Sequence, residues 1–151
     1  LAADEFGPVA ESTEHELRVE AEAPVEALGD ELRVQQIARA LLENAIRHTP
    51  PGTTVTVRAV RRGNGAVLEV GDDGPGIPPE DRKHLFQRFY RAAGGKASGS
   101  GLGLAIASEL ASRLSGSIEV SSRPGATVFT VNLPAAGQER AEAKIVADVA
   151  N

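Results

Sequence analysis

The stretch that decides how this chain reads begins Gly71-Asp72-Asp73-Gly74-Pro75-Gly76-Ile77-Pro78-Pro79 and ends Gly99-Ser100-Gly101-Leu102-Gly103-Leu104. Between these glycine clusters, from Arg82 to Lys96, stand five Lys/Arg and no Asp or Glu. Glycine lets backbone N–H groups approach a ligand with no side chain in the way. The second cluster runs straight into the apolar-periodic segment Leu104-Ala105-Ile106-Ala107. A glycine turn opening a helix suits phosphate, because the first-turn N–H groups are unpaired and the helix dipole favours an anion. The first cluster places a carboxylate, Asp72, at a turn. A carboxylate at one end and a cationic, glycine-rich loop at the other fit a nucleotide, base at the first and phosphates at the second.

Outward from this stretch the elements follow from pattern. Asp30 can cap a helix from about Glu31 to His48. At about 100° per residue, Val34, Ala38, Leu41, Leu42 and Ala45 share an apolar face. Ala40, Asn44, Arg47 and His48 lie on an adjacent face, with Ile37 among them. Pro50-Pro51-Gly52 breaks the helix. Thr54 to Val60 and Ala66 to Val70 alternate as strands around a hairpin turn at Arg62-Gly63-Asn64-Gly65, and the second strand delivers the chain to Asp72. Pro79-Glu80-Asp81 opens a short helix through Leu85, Phe86 and Phe89, with proline and acids in its first turn. The two phenylalanines read either as core or as packing anchors for the loop that follows. From Ala92 to Ser100 there is nothing that packs, which predicts a loop mobile when empty. A helix from Leu102 to about Leu114 buries Leu104, Ala107, Leu110, Ala111 and Leu114 and stops at Gly116. Ser117 to Ser121 and Ala126 to Leu133 form a second hairpin around Arg123-Pro124-Gly125. Val19 to Pro24 alternates as a first strand, residues 1–16 read as an acidic, irregular tail, and residues 138–151 read as weakly helical with no role. The predicted fold is α/β: a two-layer sandwich, a mixed sheet with about three helices packed on one face.

Composition bounds the function. With 151 residues, 25% charged and 41% hydrophobic, the chain fits one ordinary domain. A net charge of −5 argues against a general nucleic-acid or anionic-membrane binder, so the basic stretch is a local device for a small anion. Without cysteine there is no disulfide framework or thiolate metal site. No apolar run approaches the ~18 residues of a membrane span, and no direct membrane contact is expected. The chain opens on Leu1 and holds no methionine, so it reads as a piece of a longer protein.

Asp72-x-Gly74-x-Gly76, Phe86-x-x-Phe89-Tyr90-Arg91 and Gly101-Leu102-Gly103-Leu104 resemble, in order and spacing, the G1, F and G2 boxes of the ATP-binding catalytic domain of two-component sensor histidine kinases. Leu41-Leu42-Glu43-Asn44-Ala45-Ile46-Arg47-His48-Thr49-Pro50 resembles that family's N box, and Gly125-Ala126-Thr127-Val128-Phe129 its last box. The resemblance covers about Leu17 to Pro134. It implies a tail at 1–16, a catalytic domain at 17–134 and a tail at 135–151, with the histidine-kinase, gyrase and Hsp90 type of ATPase fold. It also implies ATP and Mg²⁺ as ligands. Asn44 would hold the metal, Arg47 would reach phosphate, and His48 would lie against base or sugar, though Arg47 and His48 also read as plain solvated residues. Thr127 would help Asp72 hold adenine through water, and Gly74, Gly76, Ile77, Tyr90, Leu102 and Leu104 would contribute to the nucleotide site through their boxes. The implied partners are a histidine-bearing dimerisation domain of the same kinase and a cognate response regulator. The implied setting is the cytoplasmic part of a membrane-anchored bacterial sensor.

The residues themselves support this chemistry. An ionised carboxylate only accepts hydrogen bonds, and adenine offers an exocyclic amine where guanine presents a carbonyl. Asp72 is therefore the specificity element, while Asp73 reads as a solvated turn residue. Gly101 and Gly103 supply backbone donors for phosphate, and Lys96, Arg91 and Arg88 supply countercharge. Ala40 stands where many relatives carry a second asparagine and where clamp-type ATPases carry their water-activating glutamate. Alanine is no general base, and Glu43 points about 100° away from Asn44 on the helix wheel. Slow hydrolysis and phosphoryl transfer to an outside nucleophile follow, which favours a kinase over an ATP-driven clamp; the Phe86–Arg91 motif, which clamps lack and anti-sigma-type serine kinases of this fold usually lack, sets both alternatives behind. A dinucleotide-binding oxidoreductase needs G-x-G-x-x-G after a strand, and the glycines here have other spacing. Glu14-His15-Glu16-Leu17-Arg18 resembles the family's phosphoacceptor motif, but a strand pattern ending in Pro24 follows it, so His15 reads as an exposed histidine before the first strand.

Overall fold

The computed structural model describes residues 2–21, 31–63, 65–88 and 103–134. Along the chain run α1 (Ala2–Ser12), β1 (Glu16–Ala21), α2 (Glu31–Arg47), β2 (Thr54–Arg62), β3 (Gly65–Asp72), α3 (Pro79–Arg82), α4 (Gly103–Arg113), β4 (Ser117–Arg123) and β5 (Ala126–Leu133). The strands form one sheet in the order β1-β2-β3-β5-β4. β1 lies parallel to β2, and the other neighbours are antiparallel. A parallel pair needs a crossover, and α2 lies within the one that joins β1 to β2. The sheet is mixed and carries its helices on one face, as expected.

That face is set by alternation. Val55 and Val57 of β2, Leu68 and Val70 of β3, and Phe129 and Val131 of β5 point the same way and are buried. They meet Ile37, Leu41 and Leu42 of α2, none of which has any exposed surface, together with Ala107 and Ala111 of α4 in one cluster. Full burial of each such leucine or isoleucine is worth about 1.5–3 kcal/mol, so packing rather than propensity holds α2. Ile37 therefore belongs to the core and not to the face beside Asn44 where the wheel put it; α4 packs along α2 and widens the buried stripe.

Three local readings change. Residues 1–16 are not irregular: α1 is an 11-residue helix, although Pro8 sits inside it. Phe6 and Ala10, one turn apart on either side of Gly7-Pro8, are buried in the common core, and Arg39 of α2 pairs with Glu5 at 2.8 Å. A short helix with a poor sequence is held by its tertiary face. The helix expected to reach Phe89 ends at Arg82, because the chain tightens into turns in which His84 N–H bonds Asp81 O and Gln87 N–H bonds His84 O. The stop of α4 is a Schellman motif: Ser115, at φ +61°, is the left-handed residue, with Gly116 N–H on Ala111 O and Ser115 N–H on Ser112 O. Gly116 is needed for a different reason, since a Cβ there would collide with Asn132 O of β5.

Candidate nucleotide site

The end of β3 and the start of β5 place Asp72 opposite Thr127 in the antiparallel register. Beyond Asp72 the chain makes a turn that is tied down on several sides. Gly74 N–H donates to Asp72 Oδ1 at 3.0 Å. Gly74 O in turn accepts from Gly125 N–H at 2.8 Å, in the Pro124-Gly125 turn between β4 and β5. Ile77 N–H donates to Ser122 Oγ at 2.8 Å, and Ser122 Oγ lies 2.7 Å from Thr127 Oγ1. Gly76 has φ +88°, and a Cβ on it would stand 2.9 Å from the Arg123 carbonyl carbon. Only glycine combines that conformation with that approach. The β4–β5 hairpin, longer than expected because β4 runs on to Arg123, is thus the seat of the Asp72 turn.

Asp73 is exposed, as a solvated turn residue should be, yet its carboxylate also holds the turn. Its Oδ1 accepts Thr54 N–H at 2.7 Å, and its own N–H bonds Thr54 O, which ties the turn to the start of β2. Asp72 is half-buried. Desolvation raises its pKa above the ordinary aspartate value; the Gly74 N–H opposes this, the Asp73 charge adds to it, and His15 opposes it. A carboxylate held partly out of water, with one oxygen already in use, has acceptor capacity left for a neutral donor.

The C-terminal turn of α2 abuts this turn: a Cβ on Gly74 would lie 2.8 Å from Thr49 Cγ2. Asn44 and Ala40, one and two turns back, are half-buried, and Ala40 packs on the core. Arg47 and His48 are exposed at their surfaces. Arg47 pairs with Glu43 at 2.6 Å. Desolvation lowers the His48 pKa, and the neighbouring Arg47 charge lowers it further. Arg88 pairs with Glu109 of α4 at 3.1 Å. Phe86 is half-buried and meets Phe129 edge-on, ring centroids 6.2 Å apart, so it anchors the segment after α3 to the core. Gly103 opens α4 with open space around it, and Leu104 packs against the core. Phe89, Tyr90, Arg91, Lys96, Gly101, Leu102 and the expected mobile loop from Ala92 to Ser100 lie outside the described residues, as do Asp30 and residues 138–151.

A sequence profile for the "Histidine kinase-, DNA gyrase B-, and HSP90-like ATPase" family matches residues 29–137. The chain belongs to this ATPase family. Within it the chain is a catalytic ATPase domain of the sensor-histidine-kinase kind. It is 43% identical over 122 residues to the probable sensor histidine kinase TcrY of Mycobacterium tuberculosis, a match covering 79% of this chain and 26% of the relative. The chain therefore spans about a quarter of that relative's length. A structure of the mycobacterial sensor histidine kinase MprB superposes with a TM-score of 0.74 at 31% identity, covering 89% of this chain and 93% of that one. Full-length ShkA, solved in complex with AMPPNP, superposes with a TM-score of 0.77 at 30% identity over 89% of this chain and 28% of that one.

Asp72, Gly74 and Gly76 lie in one turn, as the sequence indicates, but what seats that turn is not visible there. Ser122 is buried and joins Ile77 to Thr127, yet a serine in a strand near a Pro-Gly turn carries no signal of its own. His15 is buried, not exposed, with Nε2 2.8 Å from Thr49 Oγ1 and Nδ1 2.9 Å from Thr13 Oγ1. The error has a physical source: the partner that buries it stands 34 residues away in the chain.

Proposed function

We propose that this domain binds Mg-ATP and gives the γ-phosphoryl group to a histidine on a separate dimerisation domain of the same kinase, for relay to a response regulator. The observation that carries the reading is the Asp72 turn. Its carboxylate is half-buried, oriented by Gly74 N–H, and seated on the β4–β5 hairpin, which suits it to accept from the adenine amine. Guanine would set acceptor against acceptor there, and an unpaired buried charge costs more than a hydrogen bond returns. Thr127, with its hydroxyl already on Ser122, stands beside Asp72 as the second polar group at the base end. Gly76 and Ile77 are proposed to complete that wall, and His48, just beyond the end of α2, to lie against base or sugar. Gly103 and Leu104 open α4 on the phosphate side, where Gly101, Leu102, Tyr90, Arg91, Lys96 and Arg88 are proposed to contribute.

Among the described residues no group of three or more His, Cys, Asp or Glu is clustered as a metal cage. A single half-buried amide, Asn44, fits Mg²⁺ carried on the nucleotide, since this ion keeps several waters and takes phosphate oxygens plus few protein ligands. Asn44 Oδ1 is the ligand this chain would add, and the ion would supply charge neutralisation on the transferring phosphoryl group. Arg47 would add countercharge once released from Glu43. Ala40 offers no base, and Glu43 is engaged with Arg47, so hydrolysis should be slow and the acceptor nucleophile is proposed to come from another domain. The burial of His15 argues against it as that acceptor. We place the domain on the cytoplasmic side of a sensor protein; among the described residues no helix is long and apolar enough to cross a membrane.

Titration calorimetry tests the base reading. Asp72→Ala should weaken ATP by about 1.5–3 kcal/mol, the range for a hydrogen bond to a charged group, and leave the weaker GTP nearly unchanged; equal losses would refute it. With labelled ATP the domain alone should not label itself, and addition of the matching dimerisation domain should restore transfer. Label on His15 would overturn the separate-acceptor reading.

A further inference from the structure

The junction between α1 and β1 is folded back onto the end of α2. Glu14 adopts φ +59°, His15 N–H bonds Ala10 O at 2.7 Å, Gly52 N–H bonds Glu14 O at 2.8 Å, and Glu16 N–H bonds Thr53 O at 3.1 Å. These bonds carry the His15 ring under the last turn of α2, where it is buried. Thr49 commits its one hydroxyl proton to Ala45 O, 2.6 Å away. Its oxygen is then free to accept from His15 Nε2, 2.8 Å from it, in the tautomer that carries the proton there. Thr49 is gripped from two sides, by its helix and by His15, which leaves its χ1 no freedom. In that rotamer Cγ2 projects over Gly74 closely enough that a Cβ there would stand 2.8 Å from it. Gly74 is the residue whose N–H orients Asp72 Oδ1.

We propose that His15 is a positioning residue for base recognition: by locking Thr49 against Gly74 it fixes the direction of the Asp72 carboxylate. The inference rests on the reading of Asp72 as the acceptor for the adenine amine. A buried histidine serving stability alone would make the same hydrogen bonds, and the two roles differ in what they do to selectivity. Loosening Thr49 lets the Asp72 turn rotate, which weakens the directional bond to the amine and leaves the ribose and triphosphate contacts alone. A purely structural histidine would lower thermal stability and leave selectivity untouched. The same contacts also link the segment entering the domain through α1 to the base end of the site.

The measurement is the ratio of inosine triphosphate to ATP dissociation constants in this chain, inosine bearing a carbonyl where adenine bears its amine. His15→Ala should shrink the ratio by about threefold to tenfold, through weaker ATP binding, as contacting residues couple by such amounts. His15→Gln, whose amide can still donate to Thr49, should restore it to within about twofold of the native value. Thr49→Ser keeps the hydroxyl and deletes the methyl over Gly74, and should shrink the ratio as His15→Ala does, which also covers the case of His15→Ala failing to fold. Asp72→Ala is the control that separates the two claims. If it abolishes the preference while His15→Ala and Thr49→Ser leave it intact, the positioning role is wrong and the base reading stands. If native protein shows no preference for ATP, or Asp72→Ala leaves one unchanged, the base reading fails and takes the inference with it.

Discussion

The two ends of the candidate site are built in opposite ways. At the base end, Asp72 to Ile77 are held by bonds from Gly125 and to Ser122, and by the Asp73–Thr54 pair, with Ser122 and Thr127 buried beneath. At the end proposed to take phosphate the charges are held by exposed ion pairs, Arg47 with Glu43 at side-chain exposures of 46% and 47%, and Arg88 with Glu109 at 66% and 45%. Exposed pairs contribute about 0–1 kcal/mol, so either arginine can leave its partner for a phosphate at little cost. A base has one fixed pattern of donors and acceptors, and a rigid reader of it loses little ordering entropy on binding. Phosphate groups that are bound, transferred and released need countercharge that can be exchanged. On the proposed function, the difference between the two ends is the difference between recognition and turnover.

The hardest test of the rigid end is Gly76→Ala. Gly76 and Gly125 have nearly the same φ, +88° and +87°, but a Cβ at Gly76 would press on the Arg123 backbone while one at Gly125 meets nothing within 4 Å. The left-handed conformation alone costs about 1–2 kcal/mol for an L side chain. Gly125→Ala should show only that in urea unfolding, and Gly76→Ala about 2–4 kcal/mol, in the upper range for single substitutions. Equal costs would mean the turn can back away from the hairpin, and the seat is not rigid.

The next effect is smaller and opposite in sign. Asp72 has a folded pKa raised above the free value of 3.8, chiefly by desolvation. The empty native state therefore holds that proton more tightly than the unfolded chain. Its contribution to stability is present below the unfolded value and is lost as pH rises through the folded one. Asp72→Asn keeps the shape and the acceptor for Gly74 N–H and removes the charge. Thermal melts of the nucleotide-free protein should show the variant melting higher than native at neutral pH, with the gap closing as pH falls toward 3.8. A variant that melts lower across the range would mean that the ionised carboxylate stabilises the empty turn.

What could be read from the sequence divides along similar lines. The Asp72 turn was legible because glycine spacing and a turn carboxylate are local signals, and β2, β3, β5 and α2 were legible from periodicity. α1 was not, since its warrant is Phe6 and Ala10 meeting a core assembled from distant segments, with Gly7-Pro8 arguing locally against a helix. His15 and Ser122 were missed for the same reason: their partners Thr49 and Ile77 stand 34 and 45 residues away. A polar side chain announces its type in sequence, but its partner only in three dimensions. Ile37 shows the limit of the helix wheel, where a core wider than one stripe takes in the position next to the functional face.

The smallest effect bears on the exchangeable end. Glu43→Gln keeps the size of the side chain and removes the charge that holds Arg47 at 2.6 Å. An i, i+4 pair of this kind supports a helix by about 0.2–0.5 kcal/mol, so the melting temperature should barely move. If Arg47 must leave Glu43 to reach phosphate, the variant no longer charges that cost to binding, and ATP should bind tighter by up to about twofold, the equivalent of that pair energy. Adenosine, with no phosphate to attract Arg47, should bind native and variant alike. The gain for ATP should fade as salt rises, because the native pair is itself screened. Titrations of both ligands at low and high ionic strength separate the cases. An unchanged ATP affinity at low salt would leave Arg47 as a solvated partner of Glu43, and the countercharge would then have to come from the basic residues between Arg88 and Lys96.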